Sequence, residues 1–492
     1  MQAIFDQGEP APCPRPFNMA AHVLAHAADL PDKIALSVIA PDHCESWRYA
    51  DLEAAVRGIG TGLLAAGFAP GDILLMRLDN TLDFPLAYLG AIAVGLVPVP
   101  TSSQLTAPEV SKMVAQLSPA GLPVIDIDAL AAMRSLPPAG YAMGEPDRLA
   151  YIIYTSGTSG TPRAVMHAHR AIWARRMMHQ GWYGLGAEDR LLHAGAFNWT
   201  YTLGTGLMDP WSVGATALIP AAGVAIEALP QLLAAHEATI FAAAPGVYRK
   251  LLGHHATMDL PALRHGLAAG EKLSDKVRQH WNTATGTRIF EAYGMSECST
   301  FISASPAHPA SPGTLGRPQV GRRVAILGPD GPVALGEEGT IAVARTDPGL
   351  MLGYYGAEAE TAAKIQGDWF LTGDQGMMDA DGQITYLGRA DDMMNAGGYR
   401  VSPLEVEAAL LAHPAIREVG VTDIEVKEDA RIIVAFYVGE AADEADLKSF
   451  AADCLARYKQ PRVYVRLEAL PSGANGKILR RALKPLYEVR NG

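Results

Sequence analysis

The sequence predicts an α/β fold, with a large N-terminal domain of mixed α/β layers, a β-rich subdomain and a small C-terminal α+β domain. At 492 residues the chain exceeds the size at which a single core usually stops growing, so two or more domains are expected. Between about residues 50 and 240, apolar runs alternate between helical spacing and short strand-like stretches, as in βαβ units. The polar, glycine-rich stretch 388–400 then precedes about 100 residues with their own helix and strand pattern.

The N-terminal elements follow from residue patterning. Strands are predicted for DILLMRL and LVPVP, with a helix between them formed by DFPLAYLGAIAVG. Between residues 322 and 388, the short β-like stretches RVAIL, TIAVA and DGQITYLG are separated by Gly, Asp and Pro turns. These stretches predict the β-rich subdomain.

A domain boundary is predicted near Ala390, which divides the chain into residues 1–389 and 390–492. In the second part, the segment 402–405 (Ser-Pro-Leu-Glu) has the form of a capping box with Pro at the first helical position, so a helix is expected through about Leu411. Further strands are predicted for RIIVAFYV and PRVYVRL.

Composition excludes several classes of protein. A net charge of -12 without a clustered basic surface argues against nucleic acid as a partner. The longest apolar run, 88–100, is about half of a membrane span, and the first residues lack the features of a signal peptide, so no membrane association is expected. The cysteines are scattered without a CxxC pair, which predicts neither a zinc site nor disulfides and favours a reducing cytoplasm: Cys13, Cys44, Cys298 and Cys454.

The segment YIIYTSGTSGTPRAV predicts a phosphate-binding loop after a buried strand. Glycines let backbone N–H groups approach an anion, hydroxyls add donors and Arg163 adds a fixed positive charge. A flexible Ser/Gly turn is the alternative. A Walker loop is excluded, because Pro162 stands where its Gly-Lys-Ser/Thr would be needed. The candidate residues are Thr155, Ser156, Gly157, Thr158, Ser159, Gly160 and Arg163.

TSGTSGTPR resembles the signature loop of the adenylate-forming superfamily, which includes acyl-CoA synthetases, adenylation domains and luciferases. The family loop normally ends Pro-Lys-Gly, whereas this chain has Arg163 and Ala164 at the last two positions. The resemblance implies an enzyme that uses ATP, Mg²⁺ and coenzyme A, and a C-terminal domain that is mobile. It implies that residues 1–389 bind ATP and the acyl group, and that residues 390–492 carry the catalytic lysine.

Two further segments resemble nucleotide-binding motifs of this superfamily. AAGEKLS resembles the turn behind the adenine ring, and EAYGMSE resembles the Tyr-Gly-x-Thr-Glu motif. A single carboxylate is chemically sufficient for magnesium held with phosphate oxygens. In isolation the Ser-Glu pair could equally cap a helix. The resemblance implies Gly270, Glu271 and Lys272 near the base, Tyr293 against adenine, Ser296 near the α-phosphate and Glu297 as the metal ligand.

The remaining motifs lie towards the end of the chain. LTGD and YLGR match the family's ribose contacts, and PSGANGKILRRAL matches the segment with its catalytic lysine. An isolated TGD is more often a turn than a ligand, and glycine pairs are often only turns. The resemblance implies Asp374 and Arg389 at the ribose, Asp391 as the hinge, Gly397, Gly398 and Arg400 at coenzyme A, and Lys477 as the catalytic lysine.

For the acid, AFNWTYTLGTGLMDPWSVGATAL resembles the benzoate-CoA ligase group in particular, which implies Trp199, Thr200 and Tyr201 at the acyl pocket. Gly294 stands where acetate-specific relatives carry a Trp, so an acid larger than acetate is expected. Thr300 occupies a pocket position where benzoate ligases tend to have His, which leaves a medium-chain or substituted acid open. Trp199 could equally be a core residue.

The sequence therefore predicts an ATP-dependent carboxylate-CoA ligase that acts through an acyl-adenylate on an aromatic or medium-size carboxylic acid. Alternatives are a stand-alone adenylation enzyme that loads a carrier protein, a medium-chain fatty acyl-CoA synthetase and a non-catalytic nucleotide sensor. Against carrier loading by an amino-acid activator, Asn198 cannot supply the charge that an amino-acid ammonium needs. A homodimer is left open.

Overall fold

The computed structural model describes residues 1–78, 81–102, 105–117, 127–155, 163–195, 197, 200–390, 392–396, 399–427, 430–472 and 478–491. By packing, the chain forms two units. The smaller unit comprises Met1–Ile4, Ala325–Ala342 and Leu371–Gly492, and the larger comprises Phe5–Val324 and Val343–Phe370. This division does not test a mobile domain beginning at residue 390, which stays a prediction.

A large mixed sheet forms the centre of the larger unit. Its central strands pair in parallel, and antiparallel strands close each edge. Two of the central strands are buried at every position, as expected for a parallel sheet covered on both faces. In spatial order the strands are Arg317–Pro318, Ser299–Ser303, Arg288–Met295, His265–Ala269, Ile240–Ala243, Arg190–Ala194, Thr216–Pro220, Ile34–Ala40 and His43–Arg48.

The predicted βαβ unit is confirmed. Strands Ile73–Leu78 and Val97–Ser102 pair in parallel, and helix Asp83–Ala93 connects them. This helix packs closely on helix Tyr49–Ala65, since a Cβ at Gly90 would lie 2.9 Å from the side chain of Ile59.

A small antiparallel sheet carries the two ends of the predicted phosphate loop. Strand Leu149–Thr155 pairs with Arg163–Ala168, which pairs in turn with the short strand Gly353–Tyr354. The helices described in the larger unit are Met19–Val23, Ala25–Ala27, Tyr49–Ala65, Asp83–Ala93, Ala107–Leu117, Ile127–Met133, Arg170–Ala174, Arg176–Met178, His179–Tyr183, Thr202–Met208, Asp209–Ser212, Ile226–Ala228, Leu229–Ala235, Pro245–His254, Asp275–Thr285 and Glu358–Ala362.

The β-rich segment between residues 322 and 388 forms strands where they were predicted. RVAIL and TIAVA fall in strands Arg323–Gly328 and Glu338–Ala344, and the ITYLG part of DGQITYLG falls in strand Ile384–Arg389. The same sheet contains Ile4–Asp6, Gly331–Pro332, Ile365–Gln366 and Trp369–Met378.

The C-terminal part of the smaller unit has the expected α+β character. The serine half of the predicted capping box is confirmed: the Ser402 hydroxyl accepts a hydrogen bond from the Glu405 backbone N–H at 3.4 Å, and helix Pro403–Leu410 follows. The Glu405 carboxylate instead pairs with Lys459 at 2.5 Å. The strands are Met394–Ala396, Tyr399–Val401, Ile416–Lys427, Ala430–Gly439 and Val463–Arg466, and the other helices are Glu444–Cys454, Arg457–Lys459, Arg480–Ala482 and Leu483–Asn491. The α/β fold class is therefore confirmed.

Across the described parts of both units, no helix combines the length and the apolar composition that crossing a membrane would require.

Candidate active site

Several predicted site segments meet at one edge of the large sheet. Strands Arg190–Ala194, Ile240–Ala243, His265–Ala269 and Arg288–Met295 are parallel neighbours, so their carboxyl ends share an edge. The predicted acyl, adenine and metal segments follow three of these strands directly. In open α/β sheets this edge is where ligands bind.

The Ser-Glu motif forms the turn of a β-hairpin. Strand Arg288–Met295 pairs antiparallel with Ser299–Ser303, and Ser296 and Glu297 lie between them. The alternative reading of this motif as a helix cap is therefore wrong. Ser299 has φ of 61°, a left-handed conformation that few non-glycine residues adopt, so the surrounding structure must hold it there.

Tyr354 holds the Glu297 carboxylate. Its hydroxyl donates to Oε1 of Glu297 at 2.7 Å, and the backbone N–H of Met351 donates to the Glu297 carbonyl at 2.7 Å. Burial, followed by the charge of Glu297, raises the pKa of Tyr354, so its hydroxyl remains a donor. One segment thus fixes both the side chain and the backbone of the predicted metal ligand.

His167 supports the same turn and was missed by the sequence analysis. Its Nε2 lies 2.7 Å from the Ser296 carbonyl, and its ring stacks on Tyr151 with centroids 4.9 Å apart. Burial lowers the pKa of His167 to about 4, so the ring is neutral at pH 7 and Nε2 carries the donated proton. Its position in the strand that follows the phosphate loop is the only sequence signal.

Arg163 begins the strand after the phosphate loop and is held on two sides. Its Nε lies 2.7 Å from Oε2 of Glu360, and its guanidinium lies over the Tyr354 ring, 5.2 Å from the centroid. Ala164 is buried, and its carbonyl accepts from the Tyr355 N–H at 2.8 Å. Of the predicted loop residues, the side chain of Thr155 and the whole of Ser156, Gly157, Thr158, Ser159 and Gly160 lie outside the described part of the chain.

The predicted adenine turn follows strand His265–Ala269. Gly270 has φ of 97°, which only glycine adopts readily. Glu271 accepts from the Gly246 N–H at 3.1 Å and so supports the start of helix Pro245–His254, while Lys272 is exposed. Tyr293 packs edge-on against Phe301, with centroids 5.4 Å apart.

The predicted acyl-pocket residues have different surroundings. Thr200 lines a cavity together with residues from the hairpin turn, among them Ser296 and Ser299. Tyr201 is buried, and its hydroxyl donates to the Leu267 carbonyl at 3.2 Å. Trp199 lies outside the described residues.

Gly294 and Thr300 face each other across the hairpin. A Cβ at Gly294 would lie 2.2 Å from the Ser299 carbonyl oxygen, so a side chain there requires the backbone to move. The Thr300 hydroxyl lies 3.2 Å from the sulfur of Met178.

A buried ion pair beside the cavity was also missed. Arg175 Nε donates to Oδ1 of Asp209 at 2.9 Å, and the Tyr183 hydroxyl donates to Oδ2 at 2.7 Å. The same guanidinium donates to the Ser299 hydroxyl in the hairpin. Burial alone would raise the pKa of Asp209, but the charge and hydrogen bonds of Arg175, with His179 Nε2 lying 3.9 Å from Oδ1, lower it to about 2.

In the smaller unit, Asp374 and Arg389 are cross-strand partners in strands Trp369–Met378 and Ile384–Arg389. Nη1 of Arg389 lies 3.3 Å from Oδ1 of Asp374. The structure therefore brings the two predicted ribose ligands together. The predicted Asp391, Gly397, Gly398 and Lys477 lie outside the described residues, as does the side chain of Arg400, whose backbone belongs to strand Tyr399–Val401.

The donor set around Glu297 suits a metal that is held mainly by a nucleotide. Among the described residues, no group of three or more His, Cys, Asp or Glu side chains could form a metal site of protein ligands alone. Mg²⁺ commonly takes one or two carboxylates together with phosphate oxygens and waters. A lone, positioned Glu297 fits that pattern.

Comparison with known proteins agrees with this geometry. The model of the family described as AMP-binding enzyme matches residues 23–139 and 132–355, and that of the AMP-binding enzyme C-terminal domain matches 405–477. The chain belongs to the AMP-binding enzyme family.

Family members of known activity are similar over most of this chain. A benzoate–CoA ligase of Thauera aromatica is 30% identical over 486 residues, covering 90% of this chain and 91% of that protein. The mitochondrial acyl-coenzyme A synthetase ACSM2A of Homo sapiens is 28% identical, covering 96% and 91%. A crystallised benzoate CoA ligase from Burkholderia xenovorans LB400 superposes with a TM-score of 0.82 at 28% identity, covering 95% of this chain and 100% of that chain. The chain is thus an AMP-forming acyl-CoA ligase, which confirms the predicted adenylate-forming enzyme class.

Proposed function

We propose that this ligase converts an aromatic or medium-size carboxylic acid to its CoA thioester through an acyl-adenylate. The observation that carries the proposal is the meeting of the acyl segment, the Gly270 turn and the Ser296–Glu297 hairpin at the carboxyl ends of neighbouring parallel strands. The similarity to benzoate–CoA ligases supports an aromatic acid, and the similarity to an acyl-coenzyme A synthetase keeps a medium-chain acid as the second candidate.

In the first half-reaction, a carboxylate oxygen of the acid attacks the α-phosphorus of ATP, and pyrophosphate leaves. We assign Arg163 and Lys477 to the charge that builds on the phosphoryl oxygens. Glu297 would hold Mg²⁺, which supplies further neutralisation of phosphate charge when bound. Tyr293 and residues 270–272 are assigned to adenine, Ser296 to the α-phosphate, residues 155–160 to the phosphates, and Asp374 and Arg389 to the ribose.

In the second half-reaction, the CoA thiol attacks the acyl carbonyl, and AMP leaves. We propose that residues 390–492 turn about Asp391 between the two steps, so that Lys477 acts only in adenylation. Gly397 and Gly398 would then line the pantetheine path and Arg400 would contact a CoA phosphate.

An acid larger than acetate is supported by the hairpin. Gly294 carries no side chain, and because a Cβ there would meet the Ser299 carbonyl, a larger residue at this position would require the backbone to move. Thr200 and Thr300 are proposed to contact the acyl group, together with Trp199 and Tyr201.

The test is a panel of benzoates, phenylalkanoates and medium-chain fatty acids, with AMP release measured in the presence of CoA or of a phosphopantetheinylated carrier protein. CoA-dependent AMP release with a subset of these acids is expected. Release only with the carrier would favour a carrier-loading enzyme. ATP binding without acid-dependent pyrophosphate exchange would indicate a nucleotide sensor.

A variant of Lys477 tests whether this residue acts only in the adenylation half-reaction. Lys477→Ala should lose pyrophosphate release yet retain thioester formation from a chemically prepared acyl-adenylate. Arg481→Ala, which removes the cation four positions further along the sequence, serves as the control. Equal loss of both half-reactions in Lys477→Ala would contradict the assignment.

A further inference from the structure

A chain of contacts joins the predicted phosphate cation to the predicted metal ligand. Glu360 pairs with Arg163 at 2.7 Å, the Arg163 guanidinium lies over the Tyr354 ring, and the Tyr354 hydroxyl donates to Glu297 at 2.7 Å. These four residues all belong to the larger unit. The two outer members are carboxylates, so the cation and the metal ligand are each already satisfied by a protein group.

Tyr354, the middle residue of this series of contacts, is held firmly in place. Tyr354 is only 2% exposed, and its strand pairs with the strand that begins at Arg163. Its backbone N–H donates at 3.0 Å to the Thr361 hydroxyl, which lies next to Glu360 on helix Glu358–Ala362. Tyr354 and Glu360 are therefore carried by one short segment that is fixed to the strand of Arg163.

Glu360, at one end of this series of contacts, is open to solvent. The side chain of Glu360 is 52% exposed and that of Arg163 is 33% exposed, so their pair lies in a screened environment. A pair of this kind is weak, and a multiply charged phosphate can compete with it for the guanidinium. Glu360 occupies the donor edge at Nε, which is also suited to bidentate binding of an anion.

We propose that Tyr354 and Glu360 are positioning residues. Tyr354 orients both Glu297 and Arg163, whereas Glu360 is the counter-ion of Arg163 in the free enzyme and is replaced by pyrophosphate when pyrophosphate binds. This inference rests on the proposed function, because it takes Arg163 as the pyrophosphate-binding cation. Glu360 competes with pyrophosphate, so it weakens product binding and favours its release. Tyr354 has the opposite effect: it strengthens pyrophosphate binding, because it holds the Arg163 guanidinium and the Glu297 carboxylate in fixed positions relative to each other.

The test measures equilibrium binding of inorganic pyrophosphate by calorimetry in the presence of MgCl₂, together with forward kcat and KM for ATP. Glu360→Gln should tighten pyrophosphate binding about 2- to 5-fold, the range expected when one exposed ion-pair partner is removed. Tyr354→Phe should weaken it and lower kcat while the fold is retained. Glu358→Gln, an exposed acid on the same helix, is the matched control and should leave the Kd unchanged.

A double-mutant cycle decides whether Glu360 acts through Arg163. In an Arg163→Gln background, Glu360→Gln should no longer tighten pyrophosphate binding. The inference is overturned if Glu360→Gln matches Glu358→Gln, if it weakens binding, or if its effect persists without Arg163. Wild-type enzyme that shows no acid-dependent pyrophosphate exchange would instead contradict the proposed function itself, so the two failures are distinguishable.

Discussion

Two arginines twelve positions apart make the same kind of contact in opposite surroundings. The Arg163 and Glu360 side chains are 33% and 52% exposed, whereas those of Arg175 and Asp209 are 8% and 0% exposed. Both pairs lie in the larger unit, and both touch the hairpin that carries Ser296 and Glu297, one through Tyr354 and the other through Ser299.

The difference in exposure separates two roles. A buried ion pair whose remaining donors are satisfied resists exchange, because removing one partner leaves an uncompensated charge. An exposed pair contributes little to stability and can be exchanged for a ligand. The comparison therefore assigns the Arg175–Asp209 pair to the framework of the hairpin and the Arg163–Glu360 pair to ligand exchange.

The largest expected effect is on the buried pair. Asp209→Asn should lower the free energy of unfolding by about 3–5 kcal/mol, because the Arg175 charge loses its partner inside the protein. Urea denaturation measures this change. A loss below about 1 kcal/mol would erase the distinction between the two pairs.

The same pair predicts a pH dependence. Asp209 has a pKa of about 2, below its ordinary value of 3.8, so the pair contributes its stability above pH 4 and loses it as the pH falls towards 2. The difference in unfolding free energy between wild type and Asp209→Asn should accordingly be constant near neutral pH and shrink in acid. A difference that stays constant down to pH of about 2.5 would show that the carboxylate is not the stabilising form.

A substitution in the hairpin that both ion pairs contact should have an intermediate effect on stability. Gly294→Ala would place a Cβ 2.2 Å from the Ser299 carbonyl oxygen and so displace the turn. The free energy of unfolding should fall by about 1–3 kcal/mol, and the rate of pyrophosphate exchange should fall as well. Gly253→Ala, where a Cβ meets nothing within 4 Å, is the control for a glycine change in the same unit. Equal behaviour of the two variants would mean that the hairpin tolerates movement and does not link the pairs.

The smallest effect belongs to the exposed pair. Glu360→Gln should change the free energy of unfolding by about 1 kcal/mol or less while changing pyrophosphate affinity. Thermal denaturation of this variant, compared with that of Glu358→Gln, measures the change in stability. A large loss of stability would assign Glu360 to the framework as well.

Local patterns carried most of what the sequence predicted. The Ser402 N-cap, the βαβ unit and the β-rich strands depend on residues close together in the chain, so their spacing alone predicts them. The ribose pair was predicted as two motifs, and their contact follows from the register of two strands.

The supporting residues could not be predicted in the same way. Tyr354 meets Glu297 across 57 positions, His167 meets Ser296 across 129, and Arg175 meets Asp209 across 34. Such contacts depend on how strands and helices distant in the sequence pack together, which no single segment encodes. The loop residues 156–162 and Lys477 lie outside the described residues, so their roles stay predictions.

The most direct test of the central claim follows the oxygen atoms of the acid. If a carboxylate oxygen bonds to the α-phosphorus, and the thiol later breaks the bond between that oxygen and the acyl carbon, AMP must keep the oxygen. Turnover of an acid accepted in the substrate panel, labelled with ¹⁸O in its carboxylate, with ATP and CoA, followed by mass spectrometry of the nucleotide, should therefore give AMP that carries one ¹⁸O atom. Unlabelled AMP, or label in inorganic phosphate, would contradict an acyl-adenylate intermediate.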